Sequence, residues 1–310
     1  MTSLSPVFQR FLLETYPILR SGLPQAGRRD LRLRVVDDFF RLDAAALAAA
    51  IATGPTSLTE QELASSPSTK DADPVDALLS AAPGVIVRAD YSNDAAWIEF
   101  CTLLRESEAE ILAEDDPKAT SAEPGTDEGD GSDSSSEEDE DMAVEGSTEP
   151  SASGAASASP APLTFFSVLD FTSDAERARV VDMPNLALLR LIADADVRPA
   201  PAVPSGTKRV KPGHRLIDLN GFQEIYRGRS LWVYDAQSNV DGAVRMVNLE
   251  GDVYGTATGD SWRVRASHIT EMQVNMAFHG MKVDFGGMDR WDYSERKRNL
   301  DYATAAAATQ

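Results

Sequence analysis

Apolar side chains at Val7, Phe8, Phe11, Leu12, Tyr16 and Leu19 recur at the spacing of one helical face, so the chain opens with a predicted helix. Pro17 is expected to kink or end it, because proline removes a backbone donor and clashes with the preceding turn. A second helix is predicted from Asp30 to Thr53, carrying Leu31, Val35, Val36, Phe39, Phe40 and Leu42 into the alanine-rich run Ala44–Ala52 and stopping at Gly54-Pro55. Residues 55–72 are polar and read as a loop.

The period then changes. Gly84–Asp90 (GVIVRAD) is a short continuous apolar run and predicts a buried strand. Ser92-Asn93-Asp94 offers capping side chains to a helix over Ala95–Leu112, with Trp97, Ile98, Cys101, Leu104, Ile111 and Leu112 largely on one face. After a long polar interval, Leu163–Asp170 (LTFFSVLD) predicts a second strand, and a helix containing Leu186–Ala193 is expected to begin near Pro184. Residues 197–215 read as a proline-rich basic loop. Leu231–Asp235, Val244–Leu249 and Trp262–Val264 predict three further strands, and Ser267–Ala277 a final helix ended by Gly280. The alanine- and threonine-rich tail after Asp301 is expected to fray.

Charge changes this picture in one place. Residues 106–150 hold 18 Asp and Glu against one Lys, a net −17 of the chain's −21. Between Ala113 and Pro162 only Met142 and Val144 are more apolar than alanine, too little to offset the entropy of ordering, so disorder is expected there. Ser134, Ser135 and Ser136 each have an acidic residue three positions on, the pattern of an acidophilic kinase substrate. Lys208, Arg209 and Lys211 fit a short nuclear-import pattern. The single cysteine, Cys101, excludes an intrachain disulfide, and neither a secretory leader nor a membrane span is legible, so a cytoplasmic or nuclear protein is expected.

Val87-Arg88-Ala89-Asp90-Tyr91-Ser92-Asn93-Asp94-Ala95-Ala96-Trp97 resembles the "RTDFSDDAAW" opening of a family of small, mostly bacterial proteins filed as a domain of unknown function. In the same order, Leu231–Asp235 is similar to that family's "FLFVAD" strand and Val244–Leu249 to its "VLVVDL" strand. Trp262-Arg263-Val264, with Ile269, Met272, Asn275 and Met276, is similar to its "FRVVPSELWSVENNLS" strand and helix. The resemblance spans roughly Gly84–Leu112 and Phe165–Asp289. This chain departs from the family in its N-terminal helices, acidic insertion and basic loop, and has Asn248 where the family usually has Asp. The resemblance implies one α/β domain with a long insertion, and no activity.

Three predicted strands end in aspartates: Asp90, Asp170 and Asp235. Were those strands parallel, the carboxylates would share the sheet edge where α/β proteins bind ligands, and could hold Mg²⁺, with Asp94 or Asp174 joining. The simpler reading is that aspartate follows strands as a turn and capping residue. His268, near the start of the last helix, is a further acid/base candidate; His214 and His279 complete the histidines, and no zinc-ligand spacing occurs. Cys101, on an apolar helix face, reads as a buried inert thiol. Arg88, inside an apolar strand, requires an ion pair with Asp90, Asp94 or a neighbouring-strand carboxylate, or else an anion.

These readings predict a mixed α/β (α+β) fold: a single sheet of about five strands flanked by helices, interrupted by the acidic insertion, plus N-terminal helices. The segments are 1–72 helical, 73–112 and 163–302 the two parts of one α/β domain, 113–162 the linker and 303–310 the frayed tail. The leading expectation is a non-enzymatic protein-interaction or regulatory module with an acidic tether, needing no cofactor and binding a protein partner of basic character. Nucleic acid is disfavoured by the charge. The alternatives are a Mg²⁺-dependent hydrolase or phosphotransferase using Asp90, Asp170 and Asp235, and an accessory or immunity-type protein with an exposed apolar patch around Phe39 and Phe40.

Overall fold

The computed structural model describes residues 5–53, 66–79, 81–114, 163–202, 213–252, 256–285 and 292–309. Met1–Ala109 and Leu163–Gln310 form one compact unit, and Glu110–Pro162 a second, of which only 110–114 are described. Of the disorder expected over 113–162, residues 115–162 lie outside the described residues, as do Ser134–Ser136 and Lys208–Lys211, whereas Ala113 and Glu114 end a helix that begins at Asp94.

A five-stranded mixed sheet has the order β2-β1-β5-β6-β7, built from β1 (Gly84–Arg88), β2 (Phe166–Leu169), β5 (Ser230–Tyr234), β6 (Ala243–Val247) and β7 (Ser261–Arg265). β1 lies between β2 and β5 and is parallel to both, whereas β6 and β7 run antiparallel. The strand preceding the insertion is therefore completed by strands that follow it. β3 (Asp194–Pro199) and β4 (Phe222–Arg227) form a separate antiparallel pair. Sequence periodicity missed both, because Asp196, Arg198, Gln223 and Glu224 interrupt the apolar alternation while being buried themselves.

Alternation along the strands divides the core. Val85, Val87, Leu231, Val233 and Val247 belong to one cluster with α7 (Asn185–Ile192), α1 (Pro6–Gly22) and α2 (Arg28–Phe40). On the opposite side, Tyr234 meets Trp97 and Phe100 of α5 (Asp94–Glu114), and the Trp232 indole donates to Gln273 of α9 (Ala266–Phe278) at 2.9 Å. Gly84 permits this last contact: a Cβ there would stand 2.7 Å from the Gln273 amide oxygen and 2.9 Å from the Phe166 ring.

The N-terminal helices are part of this core. Phe39 is 2% exposed and makes edge-on contacts with Phe8, Phe11, Phe40 and, at 5.2 Å, Phe222 of β4. The expected exposed patch around Phe39 and Phe40 is therefore absent: Phe39 is a hub of the core, and Phe40 packs against it beneath the Arg215 guanidinium. Other boundaries also differ from expectation. α1 runs through Pro17 to Gly22, since Phe8, Leu12 and Tyr16 bury one face and Pro17 itself is exposed. The helix predicted over 30–53 divides into α2 and α3 (Ala44–Ala52), because the Asp43 side chain caps the Ala46 amide at 2.7 Å and starts a new helix. Short helix α4 (Pro67–Lys70) lies in the segment read as a loop, and α6 (Asp174–Val180) and α8 (Ser238–Asp241) lie where no element was predicted. The tail does not fray at Asp301: α10 runs Tyr293–Thr309 and buries Ala303 completely.

Buried charges tie these layers together. Arg32 of α2 pairs with Asp196 of β3 at 3.0 Å. Asp37 of α2 meets Arg215 at 2.6 Å, Arg215 also pairs with Glu224 of β4, and Glu224 meets Arg190 of α7 at 3.2 Å. Tyr226 donates its hydroxyl to Glu224 and accepts from Arg190 at 3.1 Å. Two carboxylates and two guanidiniums thus balance in a region where Glu224 is 0% exposed. Burial works against the charged form of Glu224, but Arg215 and Arg190 outweigh it and bring the group down to about 2.

Glu224→Gln should strand two buried guanidiniums and cost about 3–5 kcal/mol in urea unfolding at neutral pH. Because the folded value lies below the unfolded one of about 4.5, the contribution is complete above that pH and is lost as pH falls toward 2. The stability gap between wild type and variant should therefore narrow below about pH 4; a gap independent of pH would contradict the assignment.

Candidate functional site

Asp90, Asp170 and Asp235 do lie at one edge, Asp170 and Asp235 immediately after β2 and β5 and Asp90 two residues beyond the end of β1, the three strands being parallel. Each is committed to different donors. Arg88, 4% exposed at its side chain, reaches Asp94 at 2.5 Å and Asp170 at 3.5 Å, and its Nε donates to the carbonyl rather than the carboxylate of Asp90 at 3.0 Å. Its guanidinium lies over the Tyr91 and Trp97 rings, 4.5 and 5.1 Å from their centroids. The Trp97 indole donates to Asp170 at 3.0 Å. The Asp90 carboxylate accepts from the Ser92 amide and hydroxyl and, at 2.7 Å, from Asn239.

Asp235 belongs to a second cluster. Arg263 grips it through Nη1 at 2.9 and 3.1 Å, and Arg245 approaches at 3.1 Å. Arg245 continues to Glu295 at 3.1 Å, Glu295 to Arg298 at 2.9 Å, and Arg298 to Asp182 at 3.2 Å. With these oxygens accepting from arginine, indole, amide and hydroxyl donors, the aspartates do not fit a shared divalent ion. Among the described residues, no group of three or more His, Cys, Asp or Glu is arranged to hold a metal.

Between the Asp90 and Asp235 clusters lies a cleft of about 300 Å³ whose walls include Ala89, Asp90, Asp235, Gln237, Arg245 and Glu295. Its position follows from topology. The chain leaves β1 for β2 on one side and returns at β5 on the other, so strand order reverses between β1 and β5, where open α/β sheets form their ligand crevice. Asp182 closes one side, in a left-handed conformation at φ 56°, and Asp292, Ser294 and Arg298 close another. Five carboxylates against two arginines line it, a net of −3.

Three of those carboxylates, Asp90, Asp235 and Asp292, are held toward the ionised form. Partial burial works to raise Asp90, but hydrogen bonds from Ser92 and Asn239 outweigh it and its pKa falls. For Asp235 burial is likewise overcome by the Arg263 hydrogen bonds and the charges of Arg245 and Arg263, and for Asp292 by Ser294 and the Glu295 amide. All three move away from neutrality, the direction opposite to that required of a general acid. Neither histidine nor cysteine lines the cleft. His268 is the third residue of α9 and exposed, His279 follows that helix, and His214 donates Nε2 toward the Leu300 carbonyl at 3.3 Å. Cys101 is buried, its thiol pushed up to about 11 by burial.

Sequence reading located Asp90, Asp170, Asp235 and the Arg88 ion pair, but missed Arg245, Glu295 and Arg298. Arg245 carried the same signal as Arg88, an arginine within an apolar strand. Glu295 and Arg298 carried none, because α10 is mostly polar and alanine-rich. No helix among the described residues is long and apolar enough to cross a membrane. Comparison with family models, with curated proteins and with solved structures gave no match.

Two outcomes check this geometry. Asp235→Asn should destabilise the protein by about 2–4 kcal/mol in urea unfolding, because Arg245 and Arg263 lose their common counter-charge. Cys101 should react with a thiol reagent at neutral pH only as fast as the protein opens; rapid labelling of the folded chain would contradict its burial.

Proposed function

We propose that the protein is a non-enzymatic interaction module that receives a cationic group of a basic protein partner in the cleft between β1 and β5. The observation that carries this reading is the excess of carboxylates over arginines in a concave site at the sheet's topological switch point. A lysine or arginine side chain supplies the missing positive charge and a shape that enters a cleft of about 300 Å³. The carboxylates' downward shifts favour standing attraction over proton transfer. Exposed Val181 on the cleft wall, and Tyr293 between Asp292 and Ser294, add apolar surface beside the charge, as interaction sites commonly do.

The acidic segment 106–150 fits the same role as a tether attracting a basic partner at long range, with Ser134–Ser136 as sites where phosphate deepens its charge. The single cysteine and the Lys208–Lys211 pattern favour a cytoplasmic or nuclear setting. The resemblance of Val87–Trp97 to a family of unassigned activity is compatible with this reading and adds no chemistry to it.

Calorimetric titration of the full chain with a lysine-rich peptide tests the proposal. Asp182→Asn combined with Asp292→Asn should weaken binding about fivefold to tenfold at low salt, with the difference shrinking as salt is raised. Both substitutions suit their positions, since asparagine tolerates the left-handed conformation of Asp182 and replaces Asp292 as a helix cap. The acidic segment is common to both proteins, so equal affinities would overturn the cleft as the binding surface.

A further inference from the structure

Phe278 is the last residue of α9 and is 64% exposed, the only exposed phenylalanine among the described residues. Its exposure follows from how α9 is held. The helix buries Ala266, Ile269, Thr270 and Gln273, and Gln273 accepts from the Trp232 indole. Beyond Gln273 no residue of α9 is buried, so the helix end presents Ala277 and Phe278 to solvent. Val274, half-buried, lies one turn before Phe278 on the same side. Gly280 then turns the chain in a left-handed conformation at φ 68°, and the Met281 amide donates to the Asn275 carbonyl at 3.0 Å. Met281, 37% exposed, is thereby fixed beside the last turn of α9. From Met272 to Met281 the sequence holds no Asp, Glu, Lys or Arg, so this helix end is an uncharged surface of defined shape.

The chain concentrates charge next to it. The Phe278 ring meets the Phe165 ring edge-on, with 6.1 Å between centroids. Phe165 is in turn tied to α5, because the Glu108 carboxylate accepts from the Thr164 and Phe165 amides at 2.8 and 2.9 Å. The chain leaves the larger unit after Ala109 and re-enters it at Leu163, so both connections of segment 110–162 lie beside Phe165. That segment contains 16 Asp and Glu against one Lys, a net −15.

We propose that Val274, Phe278 and Met281 form a docking surface for an amphipathic basic helix of a partner protein. The apolar side of that helix covers Phe278 and Met281, and its lysines and arginines are attracted by the acidic segment rooted alongside. Opposite charge speeds and orients the encounter, while burial of the ring and the thioether supplies the lasting contact. A second copy of this chain is the poorer occupant, since pairing two such surfaces would bring two segments of net −15 to one place. None of the three residues lines the cleft between β1 and β5, so this surface does not rest on the cleft reading.

Calorimetric titration of the full chain tests this with two peptides of equal length and lysine content, one carrying leucines along one helical face and the other serines at those positions. The leucine peptide should bind about tenfold more tightly, as expected for covering an exposed aromatic side chain. Phe278→Ser combined with Met281→Ser should remove most of that preference, whereas Asp182→Asn combined with Asp292→Asn should leave it in place. Equal affinity of the wild type for the two peptides would overturn the proposal, and so would a preference that persists in the Phe278→Ser/Met281→Ser protein or vanishes in the Asp182→Asn/Asp292→Asn one. Self-association of the peptide-free chain in sedimentation, abolished by Phe278→Ser and Met281→Ser, would overturn it in favour of a second copy. The wild-type comparison decides the first of these without any variant. Equal binding of the serine peptide by wild type and by Asp182→Asn/Asp292→Asn would overturn the cleft reading alone and leave the leucine preference standing.

Discussion

The structure depends on a buried, electrically balanced chain of side chains: Asp37, Arg215, Glu224 and Arg190. It joins α2, the segment before β4, β4 itself and α7, which are distant in sequence and cover the same face of the main sheet. An apolar core of equal volume would pack many ways. Charges that cannot be left unpaired admit far fewer arrangements, so this network fixes how the N-terminal helices and the β3–β4 pair sit on α7. α7 in turn takes its two cap acceptors from α10, and α10 walls the cleft. The cleft wall and the buried charges thus meet on one helix, α7, through Asn185 and Leu186 at its start and Arg190 further along it.

The same principle governs the edge where the parallel strands end. Arg88, Arg245 and Arg263 each stand in a strand and consume carboxylates that would otherwise be free to bind a metal. What remains is a cleft whose charge is negative in sum, in which hydrogen bonds lower Asp90, Asp235 and Asp292. Chemistry at neutral pH needs groups that exchange protons there, whereas recognition of a cation needs groups that do not. The local electrostatics of this cleft match the second requirement.

Much of the fold was legible where one rule dominated. The strands of the main sheet are short apolar runs, and α5 and α9 follow clear helical signals. Legibility failed where polar residues are buried. Glu224 and Arg198 concealed β4 and β3, because a strand whose inward side chains are charged has no apolar alternation to read. Asp43 concealed the break between α2 and α3 behind a continuous apolar and alanine-rich pattern. The site was legible only through residues near strand ends. Its other half comes from α10, whose side chains gain meaning from the uncapped start of α7, more than a hundred residues earlier in the chain.

The most direct test of the central claim is a nuclear magnetic resonance titration of the full chain with a lysine-rich peptide, following backbone amides. Saturable shifts are expected at Asp90, Gln237 and Ser294, which line the cleft. Shifts confined to the acidic segment 127–141, with those cleft amides unmoved, would contradict it and leave the cleft without the role assigned to it.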